Sequence, residues 1–216
     1  MQQNTNRGFQ EGTGRQPDLI RREDLINSAP TEPEAFLLWG AQRQREEGKF
    51  ELSHGRVTCD MIWTSRYHAR VCGNILRELL RLLDPDRFDV SAADFAVRTP
   101  FGVRSPDVVV DHANPRRELS TSGPIFIAEV LSPSTAGKDF TEKLVEYTAI
   151  DSLQTYLICS QDEPRTWVWA RQGDLSWPKL PQELAGRDGV IAVGGLDIEL
   201  SMAAIFRGIP DAPTVE

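Results

Sequence analysis

The spacing of apolar residues divides the chain into a short series of elements. Phe36, Leu37 and Trp39 follow Thr31 and Glu34, a capping-box pair, and predict a helix from Thr31 to about Glu47. Lys49 to Ser53 and Arg56 to Ile62 flank His54-Gly55 and predict a hairpin with a tight turn. Ser65 reads as the N-cap of a long helix ending near Leu83. Val71, Cys72, Ile75, Leu76, Leu79, Leu80, Leu82 and Leu83 form its apolar face, and Arg66, Arg70, Arg77 and Arg81 gather on the opposite side. Strands are expected at Phe88 to Arg98, Val103 to Asp111 and Ile125 to Leu131. A second helix is expected from a cap at Asp139, paired with Glu142, to about Ile150. Thr155 to Ser160 and Thr166 to Arg171 resemble a hairpin. Short strands at Val190 to Val193 and Asp197 to Leu200 and a helical turn through Phe206 complete the pattern. The order implies an α+β fold with a mixed sheet.

Composition bounds this picture. At 216 residues and 40% hydrophobic, the chain suits one domain over residues 31–208, with tails at 1–30 and 209–216. The first 30 residues hold only seven scattered hydrophobic ones, so they read as a flexible tail in which Leu19-Ile20 to Leu25-Ile26 docks at most as a short arm. They lack the apolar run of a signal peptide, and no stretch of 18 apolar residues would span a membrane. A cytoplasmic protein without membrane partners is expected. Cys59, Cys72 and Cys159 make neither a zinc spacing nor a disulfide framework. The net charge of −8 argues against a general polyanion-binding coat, so contact with nucleic acid needs a local basic patch. The four arginines of the long helix are either that patch or a solvated face. Only four of the 24 basic residues are lysine (Lys49, Lys138, Lys143 and Lys179), so a lysine at a special position is informative.

Three residues break the apolar pattern. Glu129 stands in the otherwise apolar run Ile125 to Leu131, on the side of Ile125, Ile127 and Leu131. Asp107 precedes Val108-Val109-Val110. Each is either a strand-end acid reaching solvent or a carboxylate paired, hydrogen-bonded or bound to metal, because ionised carboxylates are costly in apolar surroundings. Lys143 lies among Phe140, Leu144, Tyr147 and Ile150 on the helical wheel. It either snorkels outward or reaches toward Glu129. Two carboxylates and a lysine converging would hold a hard divalent cation and orient water or charge at a phosphate.

Arg104-Ser105-Pro106-Asp107-Val108, Glu129-Val130-Leu131-Ser132-Pro133-Ser134-Thr135, and Asp139 with Lys143 and Tyr147 resemble the Uma-two family of restriction endonuclease-like proteins, in the PD-(D/E)XK nuclease superfamily. The likeness covers about residues 32 to 175. Phe50-Glu51-Leu52 with Gly55 matches its opening motif, and His68 matches a recurrent position. The superfamily's usual lysine position, two after the second acid, holds Leu131. The family pattern moves the lysine to the following helix, at Lys143, with Lys138 as the rival.

The resemblance implies a restriction-endonuclease-like mixed sheet flanked by helices and Mg²⁺-dependent hydrolysis of DNA phosphodiesters, Mn²⁺ being able to substitute. Asp107, Glu129 and the Val130 carbonyl would bind the metal. Glu51 would bind the metal or its water, and Lys143 would position the attacking water or stabilise charge on the phosphate. With no Cys or His expected in this cluster, Mg²⁺ or Mn²⁺ is favoured over zinc. In the apo state mutual repulsion and burial are expected to raise both Asp107 and Glu129. The other readings are a non-catalytic DNA-binding or protein-interaction module on the same fold, and a hydrolase of another phosphodiester. By analogy with symmetric nucleases, DNA is the expected partner and a homodimer the expected assembly.

Overall fold

The computed structural model describes residues 21–43, 48–60, 64–92, 95–132 and 136–211. The reading of residues 1–20 and 212–216 as tail lies outside them. Helix α1 (Arg22–Ser28) buries Leu25, and helix α2 (Pro33–Gly40) buries Phe36 and Leu37. The expected capping box at Thr31 does not form. Glu32 is the N-cap, without a side-chain bond, and Pro33 begins the helix with its φ already set.

Strands β1 (Lys49–Ser53) and β2 (Arg56–Asp60) form the expected hairpin. Its turn places His54 and Gly55 both at positive φ, as a two-residue type I′ loop needs. Helix α3 (Arg66–Leu82) is capped by Ser65, whose Oγ accepts from the His68 amide at 3.0 Å. Val71, Ile75 and Leu79 face the core as expected, but Leu80 is exposed, and Asn74 and Glu78 are buried. Three arginines of the opposite side are engaged within the chain. Arg70 donates to the Gly208 carbonyl, Arg81 pairs with Glu78, and Arg77 with Glu78 and Asn74.

Two long strands predicted from the sequence each divide between sheets. Phe88 to Arg98 becomes β3 (Phe88–Ala92) and β4 (Ala96–Thr99), and Val103 to Asp111 becomes β5 (Gly102–Arg104) and β6 (Val108–His112). The second break has a physical cause: Pro106 has no amide to give to a ladder, so the chain leaves one sheet at Arg104 and enters the other at Val108. Asp107 sits in that crossing.

Five further strands follow: β7 (Ser120–Thr121), β8 (Phe126–Val130), β9 (Thr155–Cys159), β10 (Arg165–Ala170) and β11 (Gln182–Ala185). One sheet runs β2-β1-β5-β4-β7 and the other β11-β10-β9-β8-β6-β3; β8 and β9 are parallel, and their neighbours in that sheet are antiparallel. The expected helix from Asp139 is two pieces, α4 (Ala136–Phe140) and α5 (Glu142–Thr148). Thr141 leaves helical geometry, and its hydroxyl bonds the Gly137 carbonyl four residues back, a contact that bends helices. Asp139 is therefore buried inside α4, and Lys138, expected on a loop, is in α4 as well. Strands β12 (Val190–Val193) and β13 (Ile198–Ser201) and helix α6 (Met202–Ile205) close the chain against α3.

The central strands of the six-stranded sheet are buried on both faces. Val108, Val110, Phe126, Ala128 and Val130 pack with α3 and α6. Val109, Ile127, Tyr156 and Ile158 pack with Tyr147 and Ile150. This explains the near-continuous apolar reading of β8, and why its single acid stands out.

Candidate active site

The pairing of β6 with β8 sets Val108 opposite Ala128, and Asp107, just before β6, accepts from the amide of Val130, just after Glu129. The two acids that break the apolar pattern thus meet at one end of adjacent strands.

Glu129 is 2% exposed. Its Oε1 accepts from Lys143 Nζ at 2.9 Å and from the Tyr147 hydroxyl at 2.9 Å. Lys143 Nζ also lies 3.0 Å from Asp139 Oδ1, so the lysine of the apolar stripe turns inward rather than snorkelling. Burial drives the Glu129 carboxyl up to about 8, and Asp139 and Asp107 add to this against the pull of Lys143. Asp107 behaves oppositely to expectation. Burial would raise it, but His68, Lys49 and the Val130 amide outweigh that and hold it at about 2.

Asp107 Oδ2 accepts from the Val130 amide at 2.8 Å and lies 3.3 Å from His68 Nε2. His68 Nδ1 is 3.5 Å from Cys72 Sγ. Burial pushes the Cys72 thiol well up, and its sulfur shares a hydrogen bond with Nδ1 while Nε2 faces Asp107. The expectation that no Cys or His accompanies the acids thus does not hold, because α3 lays its first two turns against the crossing at Asp107. Ligand atoms of His68, Cys72 and Asp107 lie within 4.8 Å of one another. These half-buried and buried side chains therefore form a second group of potential metal ligands beside the acids.

Glu51 is 1% exposed and projects from β1 toward the same region. Its Oε2 meets Arg104 at 3.0 Å and its Oε1 the Ser105 amide at 3.1 Å. Burial would raise its carboxyl, but the surrounding Lys143, Lys49 and Arg104 hold it at about 2. Arg104, also 1% exposed, bonds Glu146 of α5 through two nitrogens at 2.8 and 2.5 Å. Glu146 accepts further from Ser53 and Thr99. Lys49 Nζ is 3.9 Å from Asp107 Oδ1. Lys138 stands apart, bonded to Asp60 at 3.0 Å. His54 stacks on Phe101 and His112 on Phe88, both away from these acids.

Sequence reasoning passed over Glu146, Lys49 and the role of Arg104. Glu146 follows Lys143 by three residues, one helical turn, and that spacing was its signal. The donor set suits a hard divalent cation. Carboxylates of Glu51, Asp107, Glu129, Asp139 and Glu146 outnumber the cations Lys49, Arg104 and Lys143, and the neighbouring acids add to the burial that raises Glu129.

Residues 33–203 match the model of the Uma2 family, described as "putative restriction endonuclease". Two uncharacterized proteins of Synechocystis sp. are similar to the chain. One, sll1609, is 30% identical over 68% of this chain and 87% of its own length. The other, slr1290, is 27% identical over 82% and 92%. Among solved structures, a nuclease of Anabaena variabilis, assigned to DUF820 and titled putative, superposes with a TM-score of 0.62. It is 17% identical and covers 79% of this chain and 96% of that one.

Proposed function

Because this chain belongs to the Uma2 family of restriction endonuclease-like proteins, we propose that it is a metal-dependent endonuclease hydrolysing DNA phosphodiesters. The observation that carries this reading is that Asp107 accepts from the amide of Val130, the residue after Glu129, while Lys143 bonds the Glu129 carboxylate. Asp107, Glu129 and the Val130 carbonyl would hold Mg²⁺, or Mn²⁺ in its place. The ion would lower the pKa of a water and stabilise charge at the scissile phosphate.

The chain's own residues prepare that site. The Val130 amide and His68 fix Asp107 Oδ2, while Tyr147 and Lys143 fix Glu129 Oε1. Lys143 acts from inside, balancing Glu129 and Asp139. Glu51, with both oxygens engaged, serves by holding Arg104. Through Arg104 and Glu146 it locks β1 to the helix that carries Lys143. The unit is proposed to span residues 31–208, to act in the cytoplasm, and to pair as a homodimer that brings two sites to the two DNA strands.

The test is cleavage of plasmid and single-stranded DNA with Mg²⁺, Mn²⁺ or EDTA. Wild-type protein should cut with either metal and not with EDTA, and Asp107→Asn and Glu129→Gln should lose about 10²-fold or more. DNA binding without cleavage under any of these metals would point instead to a non-catalytic module on the nuclease fold.

A further inference from the structure

Lys143 is poorly placed to meet a substrate. Its side chain is 3% exposed, and its ammonium already lies against Glu129 and Asp139. Moving it to a phosphate would strand two buried carboxylates, which is the costly way to break an internal ion pair.

Lys49 is arranged differently. It opens β1 two residues before Glu51, so both side chains leave the same face of the strand. Its side chain is 25% exposed, and among the described residues Nζ makes a long approach of 3.9 Å to Asp107 Oδ1. Its cross-strand partner Asp60 is taken by Lys138 at 3.0 Å, so Lys49 is not drawn away from the acids. It lies within the electrostatic reach of Glu51, Asp107 and Glu129 together. An ammonium with donors turned to solvent at the rim of a carboxylate cluster suits an anion arriving from outside.

We propose that Lys49 is a catalytic residue that contacts a non-bridging oxygen of the scissile phosphate, and that Lys143 is the internal counter-ion positioning Glu129. Lys49 makes a charge-assisted hydrogen bond and neither forms nor breaks a covalent bond. The proposal rests on the nuclease reading above, with a DNA phosphodiester as the anion.

Two measurements on the full chain test it. The first is Mg²⁺-dependent cleavage by wild type, Lys49→Met and Lys49→Arg, each checked for an unchanged melting temperature. Lys49→Met should lose about 10²-fold or more in kcat, and Lys49→Arg should keep part of the activity. The second is acetylation of lysines by acetic anhydride, read peptide by peptide, with and without a short DNA duplex in Ca²⁺. The duplex should slow labelling of Lys49 severalfold and leave Lys138 unchanged. If wild type cleaves and Lys49→Met stays within about threefold of it, the proposal falls and the nuclease reading stands. Cleavage without protection of Lys49 also overturns the contact. No cleavage with Lys49 protected would sink the nuclease reading and leave the phosphate contact. Neither cleavage nor protection would sink both.

Discussion

Replacing Arg104 with Met should be among the most damaging single changes in this protein, and its pH dependence should reveal why. Arg104 is 1% exposed and lies between Glu51 and Glu146, each also 1% exposed. Methionine keeps much of the stem's volume and removes the charge, so the loss is electrostatic rather than a cavity. Breaking a buried pair from one side costs about 3–5 kcal/mol. Here two carboxylates are stranded, but Glu51 keeps the Ser105 amide, and Glu146 keeps Ser53 and Thr99. An estimate of about 4 kcal/mol then corresponds to about 10 °C or more in melting temperature for a domain of this size. In the wild type Glu51 is held at about 2, below its ordinary 4.5. Its contribution is therefore present above pH 4.5 and is lost as the pH falls toward 2. Without Arg104, Glu51 keeps Lys143 and Lys49 but loses one of the cations that lower it and takes up a proton more readily, so the difference between mutant and wild type should be largest near pH 7.5 and should shrink at pH 4. Thermal melts of both proteins across that range check this. Adding Glu51→Gln and Glu146→Gln to Arg104→Met should recover much of the loss at pH 7.5. A single mutant melting within about 2 °C of wild type, or a deficit as large at pH 4 as at pH 7.5, would refute the buried-network account.

Three further outcomes are expected. Lys143→Ala should abolish cleavage and also destabilise by about 3–5 kcal/mol, because Glu129 and Asp139 lose their shared cation; an unchanged melting temperature would contradict the counter-ion role. Mg²⁺ or Mn²⁺ at about a hundredfold excess over Kd should stabilise the wild type by about 2.7 kcal/mol, with little effect on Asp107→Asn; scanning calorimetry with and without EDTA decides this, and a full response in the mutant would move the metal elsewhere. Lys138→Ala should retain most cleavage activity, since its partner is Asp60, and a loss comparable to that of Asp107→Asn would restore it as the rival lysine.

Local pattern was enough to mark which residues are anomalous. An acid in an apolar strand, an acid before another, and a lysine on a buried helical stripe each violate local pattern. Such violations persist only where something compensates for burial, so Glu129, Asp107 and Lys143 were legible without coordinates. The cap at Ser65, the tight turn at His54-Gly55 and the buried strand at Phe126–Val130 were legible for the same reason: their signals are local. What the compensation consists of was not. Tertiary structure alone brings Arg104 between Glu51 and Glu146, joining residues 53 and 42 positions away from it in the chain. It alone brings His68, Lys49 and the Val130 amide to Asp107, which reverses the expected direction of that acid's pKa. Periodicity could not see the strand divided at Pro106, because each half keeps its apolar alternation while changing sheets. Nor could it separate a saturated lysine from an open one. Lys143 and Lys49 carry the same charge, and only their distances to carboxylates and to solvent tell them apart. Identity is written in local sequence; pairing is set by contacts between distant segments, and pairing decides which groups are held in place and which remain available to a substrate.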